Sequence, residues 1–283
     1  MALRRISLRE LEALRAHRWR TSPSRRVGSE QGALRLIGEL GFVLLMPIRG
    51  AELPSVQAAT RRQWAWWDWK QTLPGRKACY YAKLLRRRGT FVSWEWYPLF
   101  HAAYSERRSY RRLYRDGLLS REEKLILDLL ADRGPLMTGD LRLAFGAPSK
   151  QNTRRVKSLL VDLQTRLLIT AAGGSTEGWS HHRWDLVERW VPARCLAAAQ
   201  SISPAQARGR LMAQFCRNLY VTTAADISWF FGWGRGEVDP AVAALLEAGE
   251  VECVCAPELG GDVLVSARRR GPAPRRPPRA PCR

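Results

Sequence analysis

The sequence predicts a mainly α protein with small β-hairpins, an α+β chain arranged as tandem winged-helix domains. Three observations lead there. Apolar residues recur at helical spacing in short segments that begin with capping residues. The order helix, helix, helix, hairpin occurs twice, over residues 120–185 and 204–265. Glycine-rich tips sit inside both hairpins. The expected division is a helical, winged-helix-like domain over 1–118, a winged helix over 119–192, a second such domain over 193–267, and an Arg/Pro-rich tail over 268–283. The length of 283 residues allows two or three small domains with a proper core.

Ser7-Leu-Arg-Glu10 is a capping box that opens an amphipathic helix through Leu8, Leu11 and Leu14 to about Trp19. Thr21 to Gln31 is polar, with Pro23 and Gly28, and reads as a loop. Leu34, Ile37 and Leu40 return to helical register, and Gly41 ends it. Phe42 to Met46 is a fully apolar strand or buried turn, closed by Pro47. Leu53-Pro54-Ser55 starts another helix by placing proline near its amino end, with Val56, Ala59 and Gln63 following.

Trp64, Trp66, Trp67 and Trp69 then form a cluster bounded by Arg61, Arg62 and Lys70. On a helix, Trp66 and Trp69 share one side while Trp64 and Trp67 share another, so the four cannot be equally buried. One reading puts two in the core and two against a neighbouring domain. The other makes Trp64 and Trp67 base-stacking candidates on an aromatic platform. Arg86, Arg87 and Arg88 precede Gly89 and a strand from Thr90 to Ser93, which leads into Trp94 to Tyr97. His101 to Gly117 reads as one polar helix rich in arginine. Its Arg107 and Arg111 are candidates for phosphate contact, and the same residues would serve as a solvated face.

Ser120-Arg-Glu-Glu123 is a second capping box, opening a helix with Leu125, Ile126, Leu129 and Leu130 on one face. Gly134-Pro135 breaks it. Thr138 opens a short helix carrying Leu141, Leu143 and Phe145, which Gly146 and Pro148 stop. The third helix, Ser149 to Leu168, sets Val156, Leu159, Leu160, Leu163 and Leu167 on one stripe. Lys150, Arg154 and Lys157 fall on the opposite side, flanked by Gln151, Arg155 and Ser158. The charge sits in the first half of the helix, the part a recognition helix offers to a groove. A β-prone run over Leu167–Ala171, a tip with Gly173, Gly174 and Gly178, and a second run over Trp179–Asp185 make the wing. Taken alone, the cations are equally the water-facing side of a core helix. The wing and the overall charge favour nucleic-acid contact by Lys150, Gln151, Arg154, Arg155 and Lys157.

Beyond the wing, the Ala-rich segment from Cys195 to Ser203 reads as a connector. Pro204 opens a helix with Ala207, Leu211, Phe215 and Leu219. Thr223-Ala-Ala-Asp226 caps a short one ending at Gly232, and Pro240 opens a third with Val242, Leu245 and Leu246. Val251–Cys255 and Val263–Val265 make a hairpin around Pro257 and Gly260-Gly261. With Asp239, Glu247 and Glu250 on or beside its third helix, this unit is expected to scaffold rather than read bases. Arg268 to Arg283 should be disordered.

Lys+Arg 47 against Asp+Glu 26 gives +21 and a pI near 10.8. Seven arginines and no acid lie in residues 268–283, which leaves 40 basic and 26 acidic residues, +14, in residues 1–267. A charge of that size opposes compaction, and a polyanion partner relieves it. GC-rich coding also enriches arginine without any partner. No apolar run of about 18 residues and no signal peptide are present, so neither a membrane nor secretion is expected. Six scattered cysteines with no C-x-x-C pair, and four histidines without ligand spacing, point to a reduced, cytoplasmic chain with no metal and no cofactor. Cys253 and Cys255 alternate on a strand, as core residues do.

Gly134-Pro135-Leu136-Met137-Thr138, the Leu159–Leu168 run, Trp179, Arg189-Trp190-Val191-Pro192 and Ala224-Ala225-Asp226-Ile227-Ser228-Trp229-Phe230 together resemble the AlkZ/YcaQ-like family. The resemblance covers residues 120–256, more weakly upstream. It implies tandem winged helices and kinship with DNA glycosylases that act on alkylated or crosslinked bases. Those enzymes carry a Gln-x-Gln or Gln-x-Asp motif that positions a water and stabilises charge at the sugar. The corresponding stretch here is Gly41-Phe42-Val43-Leu44-Leu45-Met46-Pro47, which has no side chain able to act as acid, base or polar clamp. No catalytic residue carries over. Glu39, Glu52 and Glu95 are the nearby carboxylates worth testing, each with a surface or capping role as the alternative.

The leading expectation is therefore a protein that binds double-stranded DNA, damaged DNA included, through a basic helix and wing. An active glycosylase with relocated chemistry and a transcriptional regulator are the alternatives. A regulator would prefer one sequence, whereas a repair-like binder would prefer lesions or distorted duplex.

Overall fold

The structure, a computed structural model, describes residues 7–176, 182–256 and 261–267. One pattern of elements occurs in it three times. After α1 (Leu8–Arg18), the first unit runs α2 (Glu30–Leu40), β1 (Phe42–Leu44), α3 (Val56–Ala59), α4 (Ala65–Gly75), β2 (Tyr80–Lys83) and β3 (Gly89–Val92). Two helices follow, α5 (Tyr97–Tyr104) and α6 (Tyr110–Arg115). The second unit runs α7 (Arg121–Arg133), β4 (Leu136–Met137), α8 (Thr138–Leu143), α9 (Lys150–Thr165), β5 (Ile169–Gly174) and β6 (His182–Leu186). Helices α10 (Val187–Trp190) and α11 (Ala193–Gln200) lead to the third: α12 (Pro204–Leu219), β7 (Val221–Thr222), α13 (Ala224–Phe231), α14 (Arg235–Glu247), β8 (Val251–Ala256) and β9 (Gly261–Ser266). In each unit the last strand lies between the other two, antiparallel to both.

The capping boxes at Ser7, Ser120 and Thr223 form as their spacing dictates, each side-chain oxygen accepting the N3 amide. Other expectations change. The helix expected over 101–117 is two helices, because Arg107 takes a left-handed φ of 52° and Ser109 starts afresh by accepting the Arg112 amide at 3.3 Å. The Ala-rich connector is α11, which buries Cys195 and Ala199 against α5, as alanine's helix propensity favours. Pro240 lies inside α14; the helix begins earlier, where the Gly234 amide donates to Glu237 Oε2 at 3.1 Å. Ser55 caps α3 with Pro54 just ahead of it, as expected near the amino end, but the helix stops at Ala59, short of Gln63. On α7 the buried face is Ile126, Leu127 and Leu130, with Leu125 exposed. Strands β2, β4 and β7 are additions to the expected elements. The wing residues Gly178 and Trp179, Pro257, Gly260 and the tail from Arg268 lie outside the described residues.

The first sheet is the central layer, buried on both sides. Side chains alternate across a strand. Phe42, Leu44, Tyr80, Ala82 and Val92 therefore join one core, with α5, α12 and α13. Val43, Tyr81 and Phe91 join the other, with α2, α4 and the second unit. Two-sided burial explains why residues 42–45 are apolar without alternation.

The first two units grip each other reciprocally. Helix α4 lies on β5, and α9 lies on β2. At the first contact Gly75 meets Gly173, whose φ of 99° and close backbone approach leave no room for a Cβ: one placed there would stand 2.9 Å from the Gly75 Cα. At the second, Gln164 Oε1 accepts the Lys83 amide at 2.9 Å, and between the strands themselves the Thr170 hydroxyl of β5 donates to the Tyr81 carbonyl of β2 at 3.2 Å. The two edge strands that would otherwise stay open, β2 and β5, thus cover one another.

Candidate functional site

Helix α9 begins at Ser149, whose hydroxyl accepts the Asn152 amide at 3.0 Å. Asn152 in turn donates to the carbonyls of Phe145 and Ala147, at 3.0 and 2.9 Å, and fixes the loop that enters the helix. Val156, Leu160 and Leu163 point into the core, so Lys150, Gln151, Arg154, Arg155 and Lys157 all face outward and are exposed. Arg155 is spoken for by an ion pair with Glu122 of α7. Lys150, Arg154 and Lys157 have no ion pair among the described residues.

The turn between β2 and β3 adds to this surface. Arg86 and Arg87 both take left-handed φ, 50° and 57°, which swings their side chains apart. Arg87 reaches Asp162 of α9 at 2.6 Å. Arg86 lies over the Trp229 ring of α13, 4.7 Å from its centroid. Arg88 stays exposed. Lys83, half-buried at the base of the turn, has its ammonium pKa pushed below the usual lysine range, first by burial and then by Lys157, Arg88 and Arg87. Every charge acting on it is positive. The α9 cations and the β2–β3 turn therefore form one cationic cluster, in which, among the described residues, Arg87 pairs with Asp162 and Arg155 with Glu122 while the others have no ion pair.

The remaining candidates are placed elsewhere. Arg107 is half-buried and gives its guanidinium to the carbonyls of Ala102 and Ile202. Arg111 is exposed on α6, over Tyr110. Within the tryptophan cluster, Trp66 and Trp69 are core and Trp67 is half-buried, with the Lys70 ammonium 2.9 Å from its ring centroid. Burial pushes the Lys70 pKa down to about 8. Trp64, at 63% exposure, stands clear.

Of the three carboxylates, Glu39 pairs with Arg20 on the surface, and Glu95 is exposed on the turn before α5. Glu52 differs. It pairs with Arg15 beside a cavity of about 360 Å³ between the first and third units, lined also by Thr222, Asp226 and Trp229. The other two arginine nitrogens donate to the carbonyls of Leu219 and Val221, each at 3.0 Å, so all three nitrogens of Arg15 are engaged. Asp226 caps α13 by accepting the Thr223 amide at 3.0 Å. Phe215 and Leu219 line both this cavity and a narrow gap over β1. Strand β1 itself offers no polar side chain, and its three residues are buried. Among the described residues no group of His, Cys, Asp or Glu is gathered as a metal site, and no helix is long and apolar enough to cross a membrane.

Sequence reading missed Lys83, because a single lysine ending an apolar run looks like a solvated strand end. It missed the Arg15–Glu52–Asp226 grouping too, since those residues come from 15, 52 and 226 and no local spacing links them.

A family model described as AlkZ related matches residues 27–232. No curated protein matches. Among solved structures, the Streptomyces sahachiroi DNA glycosylase AlkZ is similar in fold, with a TM-score of 0.55 and 14% identity, over 93% of this chain and 70% of that one.

Proposed function

The chain belongs to the AlkZ-related family, and from that premise we propose that it binds duplex DNA, with the amino-terminal half of α9 as a recognition helix and the β2–β3 turn as a second basic contact. In this reading the three units are winged helices, with limits near residues 118 and 192, and the protein works in the cytoplasm. One observation carries it. Lys83, Arg88 and Lys157 are brought together from two units, with Arg154 and Lys150 further along the same face of α9, and none of the five has an ion pair among the described residues, which is unfavourable unless a polyanion completes the site. Proteins of this kind dock phosphates along such a surface.

The test is fluorescence anisotropy of a labelled duplex at two salt concentrations. Arg154→Glu with Lys157→Glu should weaken binding and flatten the salt slope by about 0.9 for each phosphate no longer neutralised. Arg107→Ala, whose guanidinium serves carbonyls, should leave the slope alone. A wild-type slope in the double variant would overturn the assignment.

Excision of a base is a second reading, favoured by Glu52 beside the cavity next to β1. A carboxylate there can take the proton of a water attacking the sugar as the base departs. It predicts release of a modified base from alkylated duplex, abolished in Glu52→Gln with binding intact. Absence of release at high protein concentration, with binding intact, removes it.

A further inference from the structure

In the repeated pattern, the amino end of α4 occupies the place that the amino end of α9 occupies in the second unit. Ser149 caps α9 in extended conformation, ahead of Lys150, Gln151 and Arg154. The cap of α4 is Trp64, with φ 67° and ψ −13°, left-handed and without a capping side-chain hydrogen bond. A bulky residue pays a steric penalty in that conformation, and it leaves N-terminal amides of the helix without the usual side-chain acceptor. The segment before it is firmly held. The Arg61 amide donates to the Val27 carbonyl and the Val27 amide to the Ala59 carbonyl, both at 2.8 Å. The strained cap is thus part of an anchored turn.

The indole is held in a defined way. Its inner face stacks on Trp66, centroids 5.9 Å apart and planes 25° from parallel, while Trp66 is itself in the core. The rest of the ring is open, as the 63% exposure requires. Arg61, Arg62 and Gln63 beside it are exposed, and both arginines lack an ion pair among the described residues. Trp67 offers no such face, being half-buried against Trp66 and covered by Lys70.

We propose that Trp64 is a stacking platform for one unpaired nucleobase of DNA, with Arg61 and Arg62 holding the flanking phosphates, so that the protein prefers duplex carrying an extrahelical base. The proposal rests on the DNA-binding reading above and deepens it. An anchored aromatic with one face already backed by a core ring loses little freedom on stacking, and a base presents a π-face whatever its identity. The paired arginines supply charge that a protein partner of mixed sign would not need. Of the two tryptophans that sequence analysis offers for stacking, the structure selects Trp64.

Anisotropy with two labelled probes tests this: a fully paired duplex, and the same duplex carrying a single unpaired adenine. Wild type should bind the bulged probe about fivefold or more tighter. Trp64→Gly adopts the left-handed cap without strain and keeps the fold; it should bind both probes alike, with affinity for the paired duplex unchanged. Trp64→Phe should restore most of the preference. A preference that survives in Trp64→Gly, or that is missing in wild type while paired duplex still binds, overturns the Trp64 proposal alone. Failure of wild type to bind either probe overturns it together with the DNA-binding reading.

Discussion

The guanidinium of Arg86 lies over a ring of the third unit: its carbon is 4.7 Å from the Trp229 ring centroid, and Nη1 donates to the Trp229 carbonyl at 3.3 Å. One residue along, Arg87 pairs with Asp162 of the second unit. The tip of one hairpin therefore ties the first unit to both of the others. Removing either Arg86 or Trp229 should loosen the third unit. A double-mutant cycle with Arg86→Ala and Trp229→Ala, read by urea unfolding, should give a coupling of about 0.5–1 kcal/mol, the usual worth of an exposed cation–π pair. A coupling near zero would mean that the stack contributes nothing.

Gly173→Ala should destabilise the protein by at least about 1 kcal/mol, because φ is 99° and the new Cβ would press on the Gly75 Cα. Gly139→Ala is the matched control. It sits within α8 with no atom within 4 Å of its added Cβ, so it should be neutral or stabilising by a few tenths of a kcal/mol. Equal effects in thermal unfolding would show that the packing of α4 on β5 tolerates separation.

Burial, helped by the nearby Arg107 charge, pushes the His101 pKa down to about 4 from 6.5. The folded state keeps this ring neutral while the unfolded chain takes up a proton below about pH 6.5. Its contribution is thus complete above pH 6.5 and falls as pH drops towards 4, at no more than about 1.4 kcal/mol per pH unit. His101→Leu should lose less stability than wild type between neutral pH and about pH 5. Parallel curves for the two proteins would refute a buried neutral ring.

Lys83 has a depressed pKa among like charges, and a phosphate placed beside it would raise that pKa again. Binding of duplex should therefore take up a proton at alkaline pH, and affinity should decline as pH rises through the range just below the usual lysine pKa. Lys83→Arg stays charged throughout and should remove that dependence. If the arginine variant shows the same decline, the phosphate does not sit at Lys83.

Much of the fold was readable in advance for local reasons. A capping box needs only residues three apart, so Ser7, Ser120 and Thr223 announce their helices without any knowledge of tertiary structure. The stripe through Val156, Leu160 and Leu163 is likewise periodic, and it orients the α9 cations outward by geometry alone. Strands of two residues, such as β4 and β7, are too short to show any period, and β2 ends an apolar stretch that serves two cores at once. The break at Arg107 depended on a side chain that satisfies Ile202, almost a hundred residues away.

What the sequence determined by itself was the content of the candidate surface: a basic helix face, a run of three arginines and a crowd of tryptophans, all consequences of residue type and near spacing. What only tertiary structure decided was their company. Reciprocal packing of α4 on β5 and α9 on β2 brought Lys83 to Lys157, buried Trp66 and left Trp64 in the open, while the distant Ile202 carbonyl drew Arg107 inward. Hydrophobic burial has no direction of its own. Which of several similar side chains is covered depends on the shape that meets it, and that shape is built by residues far along the chain.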